Sequence, residues 1–71
     1  MTAKYRDSYH FIEVFEGWAK RETPESQLEM LKTYRMSFER GEIEMADPER
    51  AREYVDKRIQ EFEKSLNPAE T

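Results

Sequence analysis

Residues Ser8–Trp18 read SYHFIEVFEGW, and they hold four of the nine aromatic residues of the chain, its single His and its single Trp. Placed at about 100° per residue around a helix, Val14, Trp18, Phe11, Phe15, Ala19 and Ile12 fill one arc of about 160°. Glu13, Glu16, Lys20 and Tyr9 fall opposite. The aromatic density is therefore one face of an amphipathic helix, and a stripe at this spacing is core rather than a ligand cage.

Outward from this helix, the boundaries are set by local chemistry. Thr23-Pro24-Glu25 and Asp47-Pro48-Glu49 share one design: an oxygen acceptor at the N-cap, Pro at the first helical position, and a carboxylate in the first turn facing the helix dipole. Gly41 suits the left-handed residue that ends a helix, and Pro68 disfavours helix at Asn67. Asp7 and Ser8 are both able to cap the first helix. The sequence thus predicts an all-α fold, a small bundle of three helices over about 8–21, 24–40 and 48–66. It forms a single domain over 1–71, with flexible ends at 1–6 and 67–71.

The second helix gathers Met30, Tyr34, Phe38 and Leu31 on one face, with Leu28 at its edge and Met36 opposite. The third has a narrower seam of Ala51, Val55, Ile59, Phe62 and Leu66. Phe15, Trp18, Leu31, Tyr34, Phe38, Ile59 and Phe62 are the expected core. Between these helices Ile43 and Met45 alternate with Glu42 and Glu44, a period of two that reads as an extended segment pinning two side chains to the core.

In order along the chain, YHFIE at 9–13, MLKTYRMS at 30–37 and KRIQEF at 57–62 resemble stretches of the YvfG-like proteins, small helical proteins of spore-forming bacteria without an assigned activity. The resemblance implies an all-helical fold and dimerisation, and it implies nothing about chemistry. RGEIEMADPER at 40–50 departs from that pattern, so the geometry between the second and third helices does not carry over.

Composition narrows the function. With no Cys, the chain has neither disulfides nor thiolate metal sites, so a domain of 71 residues must draw its stability from helix packing or self-association. No apolar run reaches the length of a membrane span and the N-terminus lacks the apolar stretch of a secretion signal, which predicts a cytoplasmic protein. Residues 1–40 carry seven Lys and Arg against seven Asp and Glu, and residues 41–71 carry five against nine, so the net charge of -4 sits in the C-terminal part. That balance disfavours a nucleic-acid backbone.

Catalytic chemistry has few residues to use. There is no Cys nucleophile, glycine-rich phosphate loop or nucleophile elbow, and the one His has only Glu13 beside it. His10 and Glu13 have the i, i+3 spacing found in di-iron bundles, but such sites need two His and four carboxylates facing inward. The expectation is a protein without enzymatic activity or cofactors, acting by protein–protein contact as a homodimer. The expected dimer contacts are Phe11, Val14, Trp18, Leu28 and Met30. An unidentified protein would meet Arg35, Met36 and Arg40. The alternative is a nucleic-acid-associated regulator using Arg50, Arg52, Lys57 and Arg58 of the third helix, whose interleaved acids oppose that use. A metal-binding bundle built on His10 and Glu13 is the weaker alternative.

Overall fold

The alternating segment after Gly41 finds a partner at the other end of the chain. The computed structural model describes residues 3–66, in the order β1 (Ala3–Asp7), α1 (Ser8–Ala19), α2 (Pro24–Glu39), β2 (Ile43–Ala46) and α3 (Pro48–Leu66). The strands β1 and β2 run parallel, with Ala3 opposite Ile43, Lys4 opposite Glu44 and Asp7 opposite Ala46, and an irregularity between Lys4 and Asp7. Parallel neighbours need a long crossover, which α1 and α2 provide. The expected all-α fold is corrected by this sheet: the protein is mostly helical, with a two-stranded parallel sheet added. The physical reason is that Ala3–Asp7 also alternates, with Tyr5 half-buried between exposed Lys4 and Arg6, and each short segment is a strand only against the other. Residues 1–2 and 67–71 of the ends expected to be flexible lie outside the described residues.

The helices follow their punctuation. Asp7 caps α1, its Oδ1 accepting the backbone N–H of His10 at 2.9 Å, and Thr23 caps α2, its Oγ1 accepting the N–H of Ser26 at 3.2 Å. Helix α2 ends where Gly41 takes a φ of 71°, with the N–H of Gly41 donating to the carbonyl of Phe38 at 3.1 Å and that of Glu42 to Ser37 at 2.9 Å. This is the two-bond termination that a left-handed residue permits. Helix α1 stops at Ala19, two residues before the expected end, and there the side-chain amide of Gln27 donates to the carbonyls of Ala19 at 3.0 Å and Glu22 at 3.1 Å.

One core joins all five elements. Phe11, Phe15, Leu31, Ala51, Val55 and Ile59 are the most deeply buried apolar residues, with Ala19 and Phe38 at the margin. Trp18, Tyr34 and Phe62, also expected in the core, pack against it while keeping part of their surface exposed. Phe11 is enclosed edge-on by Tyr5, Tyr34 and Phe38, with ring centroids 5.0, 4.9 and 5.6 Å away. Helices α2 and α3 are antiparallel: Arg52 lies over Phe38 at 5.9 Å near one end, and Lys32 meets Glu63 at 3.7 Å towards the other.

Candidate functional site

Each strand runs straight into a helix, and the two junctions are locked by Ser8. Its hydroxyl is buried; it accepts the N–H of Ala51 at 3.0 Å and donates to the carbonyl of Asp47. In an uninterrupted helix the N–H of Ala51 would bond the carbonyl of Asp47 directly, four residues back. Ser8 stands between them and so ties the start of α1 to the start of α3. Asp47, read from sequence as the cap of α3, takes a left-handed φ of 52°, and its carboxylate lies 3.7 Å from Arg50 Nε. The guanidinium of Arg50 also donates to the Tyr9 hydroxyl and stands 5.5 Å from the centre of the Tyr9 ring. Nothing local marked Ser8 for this role, since its partners on α3 lie about forty residues further along the chain.

His10 does not pair with Glu13. Its Nδ1 accepts the backbone N–H of Arg6 at 3.1 Å, and its ring meets Tyr5 edge-on at 5.8 Å. Among the described residues no three His, Asp or Glu side chains come together as a metal would require. The His10 N–H bonded to Asp7, with a smaller contribution from Arg6, holds the Asp7 carboxyl below its ordinary value.

Of the four residues of α3 named for a nucleic-acid reading, Arg50, Arg52, Lys57 and Arg58, three make contacts within the chain. Arg50 is held by Asp47 and Tyr9, Arg52 lies over Phe38, and Arg58 bonds Glu61 at 2.8 Å while covering the ring of Phe62 at 4.8 Å. Burial opposes the charge on Arg58, but the Glu61 carboxylate prevails and raises its affinity for the proton.

Of the expected partner residues, Arg35 lines a pocket of about 90 Å³ between α2 and α3 with Phe38, Glu39, Arg52, Val55 and Asp56. It is small against ordinary ligand clefts of about 300–1,000 Å³, and its charges balance. Met36 is 49% exposed, on a different side of α2 from Arg35, and Arg40 is exposed one turn further on.

The five expected dimer contacts are separated. Phe11 is enclosed in the core of its own chain. Leu28 lies one turn before Lys32, on the side of α2 that meets α3 through Glu63. Trp18 and Met30, by contrast, line one shallow trough with Ser26, Glu29 and Thr33 on the side of α2 away from Lys32. Val14, one turn before Trp18 on α1, is 45% exposed. Val14 thus lies on the same side of α1 as Trp18, and the half-buried Trp18 and Met30 meet across α1 and α2. Gly17 is exposed and has space all around it: a Cβ there would meet nothing within 4 Å. A glycine inside a helix costs about 0.5–1 kcal/mol relative to Ala.

No helix among the described residues is long and apolar enough to cross a membrane. Compared with known protein families, with curated proteins and with solved structures, the chain matches none.

Proposed function

We propose that this protein is a non-enzymatic helical interaction protein that pairs with a second copy of itself through the α1–α2 face. The observation that supports this is Val14, 45% exposed, one turn from Trp18, which with Met30 keeps part of its surface open in one shallow trough. Contiguous exposed apolar surface marks interaction sites on small proteins, and a chain of this size without disulfides gains stability by burying it. A two-fold pair applies one patch to itself, so a single patch suffices. The resemblance to the YvfG-like proteins implies dimerisation, without saying through which face. Met36 and Arg40, exposed on another side of α2, are the surface offered to an unidentified protein.

Size exclusion coupled to light scattering, across a dilution series, tests the reading. A dimer mass is expected, falling to a monomer in Val14→Glu while the circular dichroism stays helical. A monomer mass for the unaltered protein at every concentration overturns it.

A further inference from the structure

We propose that His10 is a pH-sensitive latch on the N-terminal strand: neutral, its ring holds β1 against α1, and protonated, it lets that hold go.

The latch consists of two bonds that cross the strand–helix junction in opposite directions. Asp7 caps α1 and accepts the N–H of His10, the third residue of the helix, at 2.9 Å. His10 returns a bond, its Nδ1 accepting the N–H of Arg6 at 3.1 Å. This is the reciprocal arrangement of a capping box, with the return bond made one residue earlier and with His where Glu or Gln ordinarily stands. The Arg6 N–H falls in the irregular stretch of the β1–β2 register between Lys4 and Asp7, where a bulge interrupts the ladder. A side-chain acceptor is what satisfies it.

Glu and Gln accept a hydrogen bond at any pH near neutrality, and imidazole does not. Nδ1 accepts only while the ring is neutral with its proton on Nε2; the protonated ring is a donor at both nitrogens. Imidazole is the side chain that changes charge between pH 5 and 8, and this chain has one His. Protonation sets an N–H against an N–H, and the bond is lost. The groups facing the ring come from β1 and α1. The Asp7 carboxylate attracts an imidazolium and the Arg6 guanidinium repels it, and these two are themselves paired at 3.3 Å, so they largely offset. Asp7, held below its ordinary value, stays ionised through this range. Tyr5 meets the ring edge-on at 5.8 Å, and exposed Glu13 lies one turn further on. What the latch secures is a core contact, because Tyr5, half-buried in β1, also stands edge-on to Phe11 at 5.0 Å. Loosening β1 uncovers Phe11.

Amide exchange read by NMR on the whole chain, with each rate divided into that of an unstructured peptide at the same pH, tests the latch. From about pH 7.5 to about pH 5 the protection of Arg6 and of the other β1 amides is expected to fall about five- to tenfold, the worth of one hydrogen bond, while the α2 and α3 amides keep theirs. His10→Gln keeps an acceptor that does not titrate, and it is expected to hold β1 protection within about twofold between the two pH values. His10→Phe has no acceptor and is expected to show the low protection at both. Protection in the unaltered protein that does not change with pH, a fall that His10→Gln shares, or a fall that extends to α2 and α3 overturns the latch. None of these outcomes depends on whether the protein pairs with itself.

Discussion

At the scale of single residues, the structure turns on a hydroxyl. Ser8 inserts between the N–H of Ala51 and the carbonyl of Asp47, so its removal leaves two backbone groups at the α1–α3 junction without their partner. Ser8→Val is expected to lower stability by about 1–3 kcal/mol, the cost of an unsatisfied buried polar group, read as a fall in the urea midpoint with an unchanged slope. The two glycines give a second residue-scale contrast. Gly41 holds a φ of 71°, where a Cβ is strained, whereas Gly17 sits in an ordinary helical turn with free space around it. Gly41→Ala is expected to destabilise the monomeric fold by about 1 kcal/mol, and Gly17→Ala to stabilise it by about 0.5–1 kcal/mol. Thermal unfolding of the two variants in the monomeric Val14→Glu background reads the opposite signs without the dimer intervening.

At the scale of elements, what the sequence made legible was what neighbouring residues decide. Thr23-Pro24 starts α2 and Gly41 ends it, because caps and left-handed turns are chosen by side chains within a few residues. The helix faces were legible for the same reason, since a period of 3.6 is visible over three turns. Strand pairing is a different kind of event. Ile43–Ala46 alternates visibly, but Ala3–Asp7 is only five residues long, and neither segment names the other. The Ser8 bridge was hidden for the same reason, because it joins residues more than forty apart in sequence. The unseen pairing also explains why Phe11 could be taken for a surface contact: Tyr5, carried in by β1, closes over it. The α1–α2 face survives as a candidate because Val14, Trp18 and Met30 were placed by helix periodicity alone.

At the scale of the whole molecule, two tyrosines couple the fold to alkaline pH. Burial, then the neighbouring Tyr5, pushes the Tyr34 hydroxyl up from 10.0 to about 12. Burial, then the hydrogen bond donated to Glu16 Oε2 at 3.0 Å, does the same for Tyr54. Both groups hold their protons more tightly folded than unfolded, so their contribution is complete below pH 10 and is lost as pH rises through about 12. Urea midpoints between those limits are expected to fall with rising pH, and Tyr54→Phe is expected to make that fall shallower. The parallel sheet has a consequence for how the chain comes to be folded. Ala3 pairs with Ile43 across the whole of α1 and α2, so during synthesis β1 leaves the ribosome long before its neighbour exists. Until then Tyr5 has no strand to hold it over Phe11, and the nascent first helix carries its aromatic face unprotected. The α2–α3 pair, built from contacts closer in sequence, has the lower loop-closure cost and is expected to form first, with the N-terminal strand joining late, so Tyr5→Ala should speed unfolding and leave the folding rate nearly unchanged.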